Sequence, residues 1–311
     1  MVIASAGAQN FVPNGDFEDF IFCPDDMSQI DALETWFAPS IGTPDYFNTC
    51  DTTDMASIPN NFMGAQEAQS GNGYAGVFVA QNDGPLYREY LEVQLNEPLI
   101  AGKPYLLDMY VSLADESSCW PNMVCAYLAD QQITDYTTSG TINQPTHLVQ
   151  TLCSDKESYI SNTTGWQKIN FCFTAIGTEK FLIIGNNYSD AYAGCYGVNN
   201  TGYYAGYIYI DQVSLTNPAA HTIYFDTSFC KGNEVTVDLA TLIDQPDNST
   251  PAYTWNDGSH EQVRSLTGEG LYEVLVQNDC AVDTVYITVD HAENCPEIFM
   301  IPNAFSPNGD G

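Results

Sequence analysis

The chain has 311 residues, 44% of them hydrophobic, and carries seven Lys plus Arg against 40 Asp plus Glu, a formal charge of −33. That length and apolar content suffice for two domains with cores of their own and exclude a disordered polymer. The negative field excludes nucleic acid and anionic lipid and leaves cations as the natural small partners.

Residues 1–9, Met1 to Gln9, have the small side chains of a signal-peptide cleavage region without a charged start or a full apolar run, and read as a signal-peptide remnant. No apolar stretch of about 18 residues occurs, so no membrane span is expected. From residue 10 onward the pattern is strand-rich. The one stretch with helical spacing, Met27 to Trp36, is short. Runs of β-branched and aromatic residues at 73–81, 104–113, 123–129, 166–174, 180–185 and 203–215 are separated by Gly, Asn, Asp and Pro clusters, which predicts short strands joined by turns. Many short strands with no long helices between them predict an all-β sandwich over residues 10–217. A boundary falls at Asn217 to Ala220, after which strands are expected at 221–226, 234–239, 251–255, 271–277 and 283–289. These make a second all-β domain over 221–291, Ig-like in size class.

Ten cysteines are scattered without a C-x-x-C pair, which excludes a zinc framework and fits disulfides in an oxidising, extracellular compartment. Cys23 and Cys50 bracket the non-strand insertion after the first strand and are expected to bridge. Cys230 and Cys280 flank the second domain, with Trp255 midway; a bridge there would clamp strand ends and contribute roughly 4 kcal/mol. The first domain holds seven cysteines, so one stays free or pairs outside it. Cys125 and Cys172, inside strand patterns, are the candidates for a buried thiol.

The opening Asn10-Phe-Val-Pro-Asn-Gly-Asp-Phe-Glu18 and the closing Tyr209-Ile-Asp-Gln-Val-Ser-Leu215 resemble the ends of the galactose-binding-like jelly roll of many carbohydrate-binding modules. The stretches Gly42 to Cys50, Pro59 to Gly64, Gly73 to Gly76, Tyr87 to Tyr90, Pro98 to Tyr105 and Ile183 to Asn186 resemble an N-terminal domain of Bacteroidetes surface and OmpA-family proteins. The jelly-roll resemblance implies that the first and last strands lie together and hold a structural calcium ion, with Glu18 and Asp211 as ligands and Asp16 as a further candidate; such an ion takes six to eight oxygens. The stretch from Thr254 to Ser259 with Gly270 to Cys280 resembles the Ig-like or PKD-like modules that precede sorting domains. Residues 295–311 end in Ile301-Pro-Asn-Ala-Phe-Ser-Pro-Asn-Gly-Asp-Gly311, which resembles the start of the gliding-motility-associated C-terminal sorting domain of Bacteroidetes proteins. That resemblance implies export by the type IX secretion machinery, display at the cell surface, and a domain cut short at Gly311.

Sugar sites use exposed aromatic platforms flanked by amides and carboxylates. The candidates are Trp36, Tyr46, Trp120, Tyr188, Tyr192 and Tyr196, whereas Trp166 and Trp255 sit in strand patterns that point to the core. Arg88, one of two arginines, is expected to pair internally. The four histidines are isolated, and neither G-x-S-x-G nor H-E-x-x-H occurs, so no enzyme is expected. The resulting expectation is a secreted, surface-displayed modular protein that binds a glycan or other cell-surface polymer. The alternatives are a structural or filament subunit making only protein contacts and, behind it, a secreted carbohydrate-active enzyme.

Overall fold

The computed structural model describes residues 9–81, 87–134, 142, 147–155, 157–188, 194–197, 205–218, 222–230, 234–242, 251–277 and 280–292. The chain divides into two compact units between Pro218 and Ala219. Among the described residues, strands and two three-residue 3-10 turns account for all regular structure. The signal-like start before Gln9, Tyr192 and the segment 295–311 lie outside the described residues.

In the first unit the strands are Trp36–Phe37 (β1), Asp45–Asn48 (β2), Asn60–Asn61 (β3), Gly64–Ala65 (β4), Gly73–Gln81 (β5), Leu91–Gln94 (β6) and Pro104–Leu113 (β7). They continue as Trp120–Pro121 (β8), Cys125–Ala129 (β9), Leu148–Cys153 (β10), Gln167–Thr174 (β11), Phe181–Gly185 (β12), Cys195–Tyr196 (β13) and Ala205–Thr216 (β14). Two five-stranded antiparallel sheets form, ordered β1-β6-β12-β9-β10 and β11-β7-β14-β5-β2. Apolar side chains from both, among them Val77, Leu107, Met109, Ala126, Leu182, Ile184 and Ile210, form the core of a jelly-roll β-sandwich.

The central strands are buried on both faces, which explains why β5 and β14 read as nearly continuous apolar runs rather than as alternations. One sheet carries Phe47, Tyr74, Tyr207 and Tyr209 on its outer face, under Ala56 and Met63. The other carries Tyr90, Tyr127 and Ile183, under Ile133 and Ile142. Buried tyrosines need partners for their hydroxyls. Tyr74 donates to the Gln66 carbonyl at 3.0 Å, Tyr209 to Asn61 Oδ1 at 2.8 Å and Tyr90 to the Asn186 carbonyl at 3.0 Å. Strand β11, at a sheet edge, alternates cleanly, with Ile169, Phe171 and Phe173 inward and Asn170, Cys172 and Thr174 outward.

Residues 10–15 run along β14. Phe11 N–H donates to the Leu215 carbonyl at 2.8 Å, and Val213 N–H to the Gly15 carbonyl at 2.7 Å. The Asn10 side chain continues this pairing, accepting from Leu215 N–H at 2.9 Å. A Cβ at Gly15 would stand 1.9 Å from the Val213 carbonyl oxygen, so this close approach requires glycine.

Three expectations are corrected. The helical spacing from Met27 to Trp36 yields only a 3-10 turn, Ile30–Ala32: Gln29 offers no side-chain cap, and Leu33 is already extended. Neither candidate thiol is free. Cys125 is fully buried but bonded to Cys153, and Cys172 is exposed and disulfide-bonded. Trp166 is half-buried just ahead of β11, where its indole N–H donates to the Glu67 carbonyl at 2.9 Å. Cys23 does bridge Cys50, and Cys119 bridges Cys195.

The second unit has Thr222–Phe229 (β15), Val235–Asp238 (β16), Ala252–Trp255 (β17), Val263–Leu266 (β18), Gly270–Gln277 (β19) and Val282–His291 (β20). A four-stranded sheet, β15-β20-β19-β17, accompanies a two-stranded β16-β18 sheet, and β15 joins β20 in parallel. Trp255, Val274, Val285 and Ile287 are core residues. Cys230 and Cys280 are each engaged in a disulfide. At the hairpin 257–260, Asp257 accepts from Ser259 N–H at 3.0 Å and from Arg264, which holds its carboxyl well below the usual range. This segment is turn chemistry.

Candidate functional site

Glu18 and Asp211 converge on one loop, 69–73. Glu18 Oε1 accepts from the backbone N–H groups of Asn72 at 2.6 Å and Gly73 at 2.9 Å. Asp211 Oδ2 accepts from Gln69 N–H at 3.0 Å and Ser70 N–H at 3.2 Å. Gly71 makes this clamp possible: its φ is +66°, and a Cβ there would stand 2.2 Å from Glu18 Oε1. Burial, more than its hydrogen bonds or Glu18, sets the Asp211 carboxyl, which is pushed up to about 7. Asp16 is exposed and apart from the clamp's hydrogen bonds. Among the described residues no group of three or more His, Cys, Asp or Glu side chains is placed to hold a metal ion. As built, the carboxylates meet N–H donors where a cation would need oxygens.

The five aromatic candidates among the described residues separate by burial. Trp36 is 1% exposed, and its indole N–H donates to the Asn14 carbonyl at 2.9 Å while the ring packs on Phe17. Tyr46 is fully buried and donates to the Phe17 carbonyl at 2.8 Å. Both anchor the opening segment to the core, so neither is a surface platform. Tyr188 is half-buried against the cluster under Tyr90 and Tyr127.

Trp120 and Tyr196 behave differently, at 43% and 60% exposed. They are direct cross-strand partners in the short β8–β13 ribbon, so both side chains stand on one face. Their ring centroids are 6.3 Å apart with planes inclined by 33°. The Cys119–Cys195 disulfide immediately precedes both residues and closes the ribbon. Tyr159 completes the group, its ring 5.1 Å from that of Tyr196. Tyr159 was not among the sequence candidates. It comes from a turn-rich loop far from both partners in sequence, and only the fold brings it there.

Beside this group lies a cleft of about 250 Å³ between residues 153–155 and 158–160 on one side and β11 on the other. Ser154, Asp155, Ser158, Gln167 and Asn170 give it polar walls, and Ile169 and Phe171 are also part of its lining. Lys168 lines it too, paired with Asp108 at 3.4 Å.

A second polar cluster is enclosed. Asp45 accepts from the Tyr207 hydroxyl at 2.5 Å, and Glu89 accepts from Phe78 N–H at 2.8 Å and the Tyr87 hydroxyl at 2.7 Å. Burial pushes both carboxyls up, and the nearby Asp45 adds to the effect on Glu89. Arg88 is fully buried and donates to the Tyr87 carbonyl at 2.8 Å, an interior role rather than a grip on ligand.

No family model and no curated protein matches the chain. Solved structures do match. The K3 cleaved adhesin domain of Lys-gingipain from Porphyromonas gingivalis W83 is 13% identical with a TM-score of 0.35, over 68% of this chain and 99% of that domain. The CBM22-1 xylan-binding domain of Xyn10C from Paenibacillus barcinonensis is 11% identical with a TM-score of 0.32, over 65% of this chain and 98% of that one. The enzymatically active domain of tailspike protein 4 from bacteriophage CBA120 is 12% identical with a TM-score of 0.33; the match covers 67% of this chain but 21% of the tailspike chain, about a fifth of its length. At such identities and scores the likeness carries no functional argument, which rests instead on this chain's side chains.

Proposed function

We propose that the first unit is an extracellular glycan-binding or adhesion module and that Trp120, Tyr196 and Tyr159 form its contact face. The observation that carries the reading is the exposed Trp120–Tyr196 pair on a disulfide-closed ribbon, with the half-buried Tyr159 beside it. Aromatic side chains normally fill cores, as Trp36, Tyr46 and Trp255 do here. Three gathered at a surface offer apolar ring faces to the C–H face of a sugar, with neighbouring amides and carboxylates for its hydroxyls. The disulfides support an oxidising, extracellular setting, and no helix among the described residues is long and apolar enough to cross a membrane.

The proposal includes binding without catalysis, and export by the type IX route with display at the cell surface. The export element rests on the resemblance of Ile301 to Gly311, outside the described residues. A structural calcium ion at Glu18 and Asp211 is a further element. It is supported by the convergence of two carboxylates and opposed by the N–H groups that already occupy their oxygens.

A glycan array probed with the full chain, together with size-exclusion chromatography, tests this reading. Glycan hits from a monomer that leaves the glycan uncleaved are the expected result. Filaments or oligomers without glycan hits would favour a structural subunit, and cleavage would favour an enzyme.

A further inference from the structure

We infer that the aromatic group and the neighbouring cleft are one continuous site for an extended, uncharged oligosaccharide; this rests on the glycan-binding reading above and specifies its ligand. The segment from Ser158 to Ile160 is shared by both. The Tyr159 ring packs against that of Tyr196, tilted by 43°, whereas Ser158 and Ile160 on either side of it line the cleft. Ile160 N–H donates to the Pro121 carbonyl at 3.0 Å, which ties this segment to the ribbon that carries Trp120. A chain of sugars leaving the rings at Tyr159 therefore meets the cleft next.

The two parts supply different chemistry. The rings offer apolar faces to one or two sugar units. The cleft offers hydroxyl partners, notably Ser158, Gln167 and Asn170. Among the described residues that line it, the one ammonium group, Lys168, is matched by Asp108, and Asp155 adds a further carboxylate, so these residues bring no surplus positive charge to a uronate or sulfate. The whole-chain charge of −33 opposes anionic polymers as well. The site thus selects for length through the cleft and against charge through its field.

The test is calorimetric titration of the full chain with neutral disaccharides and hexasaccharides of the cello, xylo and manno series, and with polygalacturonate at matched ionic strength. The variants are Trp120→Ala and the pair Gln167→Ala with Asn170→Ala, each checked for an unchanged melting curve. A neutral hexasaccharide is expected to bind clearly tighter than its disaccharide. In the paired variant that advantage falls roughly ten-fold, the effect of two lost hydrogen bonds, whereas Trp120→Ala weakens both ligands. Equal affinity for the two lengths, or an undiminished advantage in the paired variant, overturns the extended site and leaves the aromatic contact face standing. Wild-type binding by Trp120→Ala overturns the contact face itself. Polygalacturonate bound as tightly as the neutral hexasaccharide overturns the charge selectivity, and capture of peptides with no neutral sugar bound overturns the whole inference.

Discussion

The Cys119–Cys195 disulfide has two separable consequences, one for stability and one for binding. Replacing both cysteines by serine opens a loop with a sequence separation of 76. On the chain-entropy account this costs about 4.5 kcal/mol of stability. The ribbon it closes is only two residues long on each strand, so without the bridge Trp120 and Tyr196 must be ordered when ligand arrives. Ordering two side chains costs about 1–3 kcal/mol, which weakens glycan binding roughly five- to 150-fold. The matching control is the Cys23–Cys50 bridge, with a sequence separation of 27 and an expected stability cost of about 3.5 kcal/mol. That bridge lies outside the proposed contact face, so its loss should leave affinity unchanged. Denaturant unfolding followed by circular dichroism, with glycan affinity measured well below the transition, separates the two effects. Equal affinity for the wild-type protein and the Cys119/Cys195 variant would refute the idea that the bridge preorganises the rings.

Three further outcomes are expected. Glu92 is fully buried, with Oε1 accepting from Ile133 N–H at 2.9 Å and Oε2 without a partner among the described residues, and burial pushes its carboxyl up to about 8. The folded state therefore keeps a proton that the unfolded state releases near pH 4.5. This stabilisation is complete below that pH and is lost as pH rises through about 8, by about 3–5 kcal/mol. Glu92→Gln should flatten the stability–pH curve over that window, and parallel curves for the two proteins would rule out this assignment. If calcium bridges Glu18 and Asp211, EDTA lowers the melting temperature and excess calcium restores it, by about 2.7 kcal/mol at a hundred-fold excess over Kd; a melting temperature indifferent to both means no ion. Tyr159→Ala should weaken glycan binding less than Trp120→Ala, because a half-buried ring offers less contact area, with affinities from the same titrations deciding the order.

The long strands were legible because their chemistry is local. The alternation along β11 and the apolar runs of β5 and β14 state their own burial. The two-residue strands β1, β8 and β13 were not legible, because so short a pair is defined by its partner rather than by a pattern. Within the candidate site, Trp120 and Tyr196 could be named as aromatics near turns. Nothing local separated them from Trp36, which sits in equally polar sequence yet ends 1% exposed. Tyr159 and the cleft were beyond reach because they arise from contacts among loops distant along the chain. Glu18 and Asp211 were placed together by resemblance, but their hydrogen bonds to the 69–73 backbone depend on that loop's path, including the positive φ of Gly71.

The central claim is that a glycan contacts Trp120. Its most direct measurement is a tryptophan fluorescence titration of the full chain with the best-bound neutral glycan. Trp36 and Trp255 are each 1% exposed and out of reach of a ligand, and Trp166 is half-buried with its indole N–H held by the Glu67 carbonyl, while Trp120 is 43% exposed. The account predicts a saturable change in emission for the wild-type protein and its loss in Trp120→Ala, with affinity reduced at least about ten-fold, the effect of removing a central aromatic contact. The same change and the same affinity in both proteins would contradict it.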